Sequence, residues 1–397
     1  MSSVTVRLKP GREKPVLHRH PWVFSGAVER MEGAVGVGAE ADVVSHDGAW
    51  LARGLAHPEA ALTVRLYTWR QDQPLDAAFF ADAAERAVAF RDRLFDDAFR
   101  ERTNAYRLVF SESDGLSGLI VDRYADVLAV QVSAAALAPH LDVILDRLRA
   151  RTGVGTCVVR ADPDAVEREG LRLGDAPSEP APSCLRIREN GLLFDVNLEG
   201  GHKTGFFLDQ RDNRARVAAY ARGRRVLSGY CYTGALEVCA AAAGAAGITG
   251  LDSSADAIAA ARRHHELNGT RVPVEYLEAD VPEALRRFRD RGESFDLIVL
   301  DPPRFVFNRA QVEKGLRAYK DINLLAMKLL TPGGILATFS CSGQVSVGDF
   351  SMVIRWAAVD AGRAVRIVER LSQPPDHPVS AVFPESEYLK GLIGVID

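Results

Sequence analysis

The stretch RRVLSGYCYTGALEV, residues 224–238, sets a short apolar strand, RRVLS, before a helix-forming run, ALEV, with the turn GYCYTG between them. Gly229 and Gly234 bracket that turn, and glycine lets backbone come close to a bound ligand. The same strand, turn and helix pattern repeats from about residue 190 onward. AAGITGLD, VPVEYLEAD, FDLIVLDPP and GGILATFSCS are further apolar runs, each followed by a helix-compatible segment such as SADAIAAARRHHELNG. Near-continuous apolar strands alternating with helices predict an α/β fold, a parallel sheet covered on both faces with ligands at the carboxyl ends of the strands.

Upstream of this region the texture differs twice. The first 70 or so residues alternate in short pieces, TVRL, WVFSGAV, ADVVS, WLARGLA and LTVRLYTW, which predicts a small β-rich domain. LDAAFFADAAERAVAFRDRLF then has helical spacing and predicts one long helix over about 75–100. The runs YRLVFSE and LIVDRYADVLAVQV read as two strands joined by DGLSG, with a helix at about 138–151 and a further strand TCVVRA. The stretch LGDAPSEPAPS (173–183) reads as a linker or exposed loop. Three domains follow, 1–70, 71–189 and 190–397.

Composition sets outer bounds. A chain of 397 residues, 47% hydrophobic and 26% charged, matches an ordinary globular protein rather than a disordered one. No stretch is apolar enough to span a bilayer, so a cytoplasmic protein is the expectation. Five scattered cysteines without a CxxC pair exclude a disulfide framework and a zinc ribbon, and no metal site is expected. The net charge of −4 is unremarkable, but residues 1–30 hold six Lys or Arg against two Glu, and residues 201–225 hold seven against two Asp. Such patches suit phosphate contacts, although solvated faces are commoner.

Candidate chemistry lies at the strand ends. Asp252, which ends the second strand, suits ribose hydroxyls, and Asp280, one strand further, suits an adenine amino group, while helix capping is the plain alternative for both. DPPRF (301–305) places two prolines beside Asp301, a stiff apolar ledge on which a planar base could rest, or simply a strand-ending turn. Cys341, in FSCSG (339–343), ends the fifth strand. On composition alone a buried inert thiol is the commoner case.

Taken together with HKTGFFLDQRDNR (202–214), LDSSADAI (251–258), HPVSAVFPESEYLKG (377–391), HPWVFSGAV (20–28) and the long block 300–343, these motifs carry a resemblance that covers nearly the whole chain. They resemble the large subunit ribosomal RNA methyltransferase I family, whose members make 5-methylcytosine in 23S ribosomal RNA. The resemblance implies a PUA domain, a central α+β domain and a Rossmann-like class I domain that binds S-adenosyl-L-methionine. It implies a cofactor site formed by Thr204, Phe206, Gln210, Arg211, Gly229, Tyr232, Thr233, Gly234, Asp252, Ser253, Asp280, Asp301 and Pro302, with Cys341 and Asp301 catalytic. The segment from Lys203 to Arg211 would lie near the methionine end. His202 stands where Gln is usual, and Ser228 where Asn or Asp is usual. The expected partner is 23S ribosomal RNA or a large-subunit precursor, with no membrane and a homodimer left open.

The implied mechanism is attack of Cys341 on carbon 6 of an extruded cytosine, which makes carbon 5 electron-rich enough to accept a methyl group. Where some RNA cytosine methyltransferases carry a second cysteine for release, this sequence reads Asp-Pro-Pro, so another group or water must serve. The alternative is an exocyclic-amine RNA methyltransferase using the Asp-Pro-Pro loop, which needs no thiol. A non-catalytic RNA-binding assembly factor is a second alternative, and a nicotinamide dehydrogenase is disfavoured by the lack of GxGxxG.

Overall fold

A computed structural model describes residues 4–174, 178–198 and 206–397. The chain forms two compact units: residues 1–187 with 196–208 and 375–386, and residues 188–195 with 209–374 and 387–397.

The first unit contains two sheets. Its six-stranded sheet runs, in spatial order, Trp22–Phe24, Leu62–Thr68, Trp50–Ala56, Ala39–Val44, Val4–Leu8 and Val28–Glu32. WVFSGAV is therefore two strands, split by a short 3-10 turn at Ser25–Ala27. The second sheet, Thr156–Ala161, Val127–Val132, Leu119–Tyr124 and Ala105–Phe110, carries the helices Ala77–Leu94 and Leu141–Thr152. Buried Arg65 ties the two sheets together, with Nη2 donating to Glu169 at 2.8 Å and Nη1 to Ser117 at 3.3 Å.

Two expectations for this unit need correction. The long helix stops at Leu94, because Asp96 caps a separate helix, Asp97–Arg102, by accepting from the Phe99 amide at 2.8 Å. LIVDRYADVLAVQV folds back on itself as an antiparallel pair, turning at Ala125 with φ 53°. Of the two readings of 173–183, linker or exposed loop, the described part fits the loop, and Ser178 and Glu179 anchor it by accepting from the Val159 and Cys157 amides at 3.0 and 2.6 Å along the strand Thr156–Ala161.

The second unit is the predicted α/β layer. Its elements in chain order are helix α1 (Arg211–Ala218), β1 (Arg225–Gly229), α2 (Ala235–Ala242), β2 (Gly247–Asp252), α3 (Ala255–Leu267), β3 (Val274–Glu278), α4 (Val281–Asp290), β4 (Phe295–Leu300), α5 (Val312–Leu329), β5 (Leu330–Ser340), α6 (Val347–Ala361), β6 (Val365–Ser372) and β7 (Lys390–Ile396). Their spatial order is β3-β2-β1-β4-β5-β7-β6. The first five pair in parallel, as their apolar runs require. The sheet is not parallel throughout, however: β7 inserts antiparallel between β5 and β6. Two apolar layers cover it, one built on Leu285, Tyr319, Ile322 and Phe350, the other on Val217, Val226, Ala240 and Phe339. The chain reverses its winding between β1 and β4, and at such a switch point the two loops part and leave a crevice.

Candidate active site

The loop after β1 is built to hold an unusual backbone. Tyr230, Tyr232 and Gly234 have φ of 65°, 48° and 76°. Left-handed conformations of non-glycine residues cost energy and persist where the surroundings enforce them. Here the enforcing contacts are visible. Asp252 at the end of β2 accepts the Tyr232 amide on Oδ2 at 2.9 Å, and buried His264 donates from Nδ1 to the Thr233 carbonyl at 2.7 Å. A Cβ on Gly234 would stand 2.7 Å from Ala261 Cβ, and one on Gly229 would stand 2.8 Å from Val281 Cγ1.

The capping alternative separates the two carboxylates. Asp280 does cap α4, accepting from the Glu283 amide at 3.0 Å. Asp252 caps nothing: Ser254 holds that position on α3, and Asp252 Oδ1 accepts its amide at 3.0 Å. Each Asp252 oxygen thus keeps a lone pair beyond its backbone bond. Exposed Ser253 lies beside it.

At the end of β4, half-buried Asp301 accepts a hydrogen bond from Gln210 Nε2 at 2.9 Å, and Gln210 is itself oriented by Asn213 at 2.6 Å. Burial pushes the Asp301 carboxyl up to about 7, and the charge of Asp209 adds to the effect. It is therefore poised to hold or give a proton near neutral pH. Pro302 is buried beside it.

Half-buried Cys341 follows β5, which pairs directly with β4, so the thiol and the Asp-Pro-Pro ledge are neighbours as the strand order requires. The turn carrying it is held from beneath by hydroxyls. Ser340 Oγ donates to Tyr319 Oη at 2.9 Å, Tyr319 Oη and Ser342 Oγ lie 3.0 Å apart, and the Val306 amide donates to Ser342 Oγ at 3.3 Å. Phe305 packs its ring 4.7 Å from Tyr319. Across the sheet Lys390 pairs in register with Ser340, and its Nζ donates to the Ser342 carbonyl at 2.7 Å.

Not every expected site residue joins this group. Thr204, with His202 and Lys203, lies outside the described residues. Phe206 belongs to the first unit, where its carbonyl accepts from the Tyr124 hydroxyl at 3.0 Å. Arg211 is buried and paired with Asp212 at 2.9 Å. The basic run 201–225 is largely consumed by such pairs: Arg214 binds buried Glu189 through two bonds of 2.7 and 2.6 Å, Arg216 binds Glu369, and Arg225 binds Glu293. Sequence reasoning missed Lys390 and Tyr319. Lys390 sits in the quoted block 377–391, but no spacing rule links a lone lysine to a strand 50 residues upstream.

A family model described as S-adenosylmethionine-dependent methyltransferase matches residues 176–393, and one described as a PUA-like domain matches residues 6–69. "Ribosomal RNA large subunit methyltransferase I" of Shewanella denitrificans is 45% identical over 98% of this chain and 99% of its own length. The chain belongs to the ribosomal RNA large subunit methyltransferase I family. The same-named proteins of Shewanella amazonensis and of an Enterobacter species are 45% and 42% identical, each covering 98% of this chain. Two solved structures share the fold at 21% identity: a methyltransferase complexed with SAH, with a TM-score of 0.84 and full coverage of both chains, and a SAM-dependent methyltransferase from Streptococcus mutans, with a TM-score of 0.82 over 98% of this chain and 99% of that one.

The cofactor of this family is S-adenosylmethionine, and the residues present fit it. The spare lone pairs of Asp252 suit two ribose hydroxyls, and the β1 loop is locked in the close-approach conformation that a nucleoside needs. Among the described residues no helix is long and apolar enough to cross a membrane.

Proposed function

We propose that this member of the family methylates carbon 5 of a cytosine in 23S ribosomal RNA, or in its large-subunit precursor, through a covalent adduct at Cys341. One observation carries the reading: an accessible thiol at the end of β5 stands beside the Asp301 ledge of β4, with the ammonium of a buried lysine across the strand pair. A methyl transfer to an exocyclic amine would give that thiol no task.

In this reading Gly229, Tyr232, Thr233 and Gly234 shape the cofactor loop, Asp252 and Ser253 hold the ribose, and Asp280 faces the adenine. When bound, S-adenosylmethionine supplies an electrophilic methyl group on a sulfonium. Cys341 adds as thiolate to carbon 6 of the base, and the ring electrons shift to carbon 5, which becomes the methyl acceptor. Asp301 hydrogen bonds the base edge as charge develops there, with Gln210 fixing its orientation. Pro302 and Pro303 keep the ledge rigid and free of amide donors. Loss of the carbon 5 proton and of the thiolate restores the aromatic ring.

Residues 1–70 serve, in the same proposal, as the RNA-binding domain. Exposed Arg12, Lys14 and Arg19 have no ion-pair partner among the described residues. Arg12 and Lys14 line a cavity of about 600 Å³ with His20, Trp22 and Phe24, a mixture of cations and rings suited to an unstacked strand.

The test is a 23S transcript made with 5-fluorocytidine, whose carbon 5 cannot lose a proton. Wild-type enzyme with cofactor is expected to form a complex stable in denaturing gels, and Cys341→Ser none. If Cys341→Ala still transfers methyl groups to unmodified transcript, the covalent reading is wrong and the exocyclic amine becomes the target.

A further inference from the structure

Lys390 is the first residue of β7, placed opposite Ser340 by the antiparallel register, and only 5% of it is exposed. Lysine is rarely buried to this degree without a charged partner. Its Nζ donates to the carbonyl of Ser342, the residue after Cys341, so the amine is held within one residue of the sulfur. That carbonyl uses one of three ammonium hydrogens. Among the described residues, the charges that act on it are those of Cys341, Glu387 of the preceding loop and Arg304 of the Asp-Pro-Pro loop, and Cys341 acts likewise on Tyr319 of α5.

We propose that Lys390 is the positioning residue for the nucleophile, its ammonium held beside the Cys341 sulfur and favouring the thiolate over the thiol. The S–H bond breaks, its electrons remain on sulfur, and the proton leaves to solvent.

Burial brings the Lys390 ammonium down to about 8, opposed by Cys341 and Glu387 and assisted by Arg304. An ordinary thiol ionises near ~8.5. An amine needed only to satisfy a carbonyl could be a neutral amide, with no charge to desolvate. The inference rests on the reading of Cys341 as nucleophile, but its test needs no RNA.

The experiment follows alkylation of Cys341 by iodoacetamide across pH, with the modified peptide quantified by mass spectrometry, in wild type, Lys390→Gln and Lys390→Arg. Gln keeps a donor for the Ser342 carbonyl without the charge. The midpoint is expected to rise by about one unit in Lys390→Gln, which is about tenfold slower alkylation at neutral pH, and to stay near wild type in Lys390→Arg. An unchanged midpoint in Lys390→Gln overturns the proposal. Should that variant not fold, the reciprocal measurement decides: Lys390 followed by NMR in Cys341→Ser should titrate lower than in wild type, and an unmoved titration overturns the proposal equally. A pair that behaves as expected in an enzyme forming no 5-fluorocytosine adduct would remove the covalent reading and leave the coupling standing.

Discussion

Gly234 shows how a single backbone position decides the cofactor loop. Its φ of 76° is open to glycine, and a methyl group there would press on Ala261 and on Tyr276 Oη at 2.9 Å. Gly234→Ala is therefore expected to lose about 1–2 kcal/mol from the left-handed conformation alone, before the clashes are relieved. Calorimetric titration with S-adenosylmethionine and a thermal melt check it, and a variant with parental melting and affinity would show that the loop tolerates another conformation. The residue types at this scale were legible, because Gly229, Gly234, Asp252, Asp301 and Cys341 each belong to a turn or strand end with a chemical requirement. The partners were not. That Asp252 clamps the Tyr232 amide while Asp280 caps a helix depends on loop geometry that the letters do not contain.

The β4 and β5 ends act together because α5 supplies the hydroxyl that joins them. Tyr319 is fully buried and bridges Ser340 and Ser342, whose hydroxyl in turn holds the Val306 amide of the neighbouring loop. Tyr319→Phe leaves buried hydroxyls short of a partner, and is expected to cost about 1–3 kcal/mol in urea unfolding and to reduce methyl transfer more than cofactor affinity. Equal losses in turnover and cofactor binding would count against a role confined to the Cys341 turn. Strand and helix order in this unit could be read from the apolar periodicity. Failures came where one short signal overrode a long one. Asp96 interrupts a helical run that otherwise continues, and Ala125 turns an unbroken apolar stretch into a hairpin. The basic run 201–225 misled for a further reason: sequence counts charge, whereas Glu189, Glu293 and Glu369, which neutralise it, arrive from distant segments.

Across the whole chain, two carboxyls raised by desolvation give stability a pH dependence. Asp301 and, in α2, Glu237 are each pushed up to about 7, first by burial. In the unfolded chain they ionise near ~4. Between those values the folded state retains protons that the unfolded state has released, so stability falls as pH rises from about 4 to about 7. Urea midpoints at about pH 5 and about pH 7.5 should differ less in Asp301→Asn with Glu237→Gln than in the parent, and the same difference in both would discount burial as the cause. Binding to a 23S transcript should weaken as salt rises. Arg12→Gln, Lys14→Gln and Arg19→Gln should each make that slope shallower, by roughly 0.7 to 0.9 for every phosphate the native cation neutralises. An unaltered slope would place the RNA elsewhere.

The position of β7 also bears on synthesis. At about 5–20 residues per second the ribosome delivers β5 and β6 well before residues 390–396, and β6 has no other neighbour in the sheet. Until residues 390–396 pair, β5 and β6 leave a gap between two open edges and the thiol lacks its amine. Competence arrives with the seventh strand rather than with the strand that bears the sulfur.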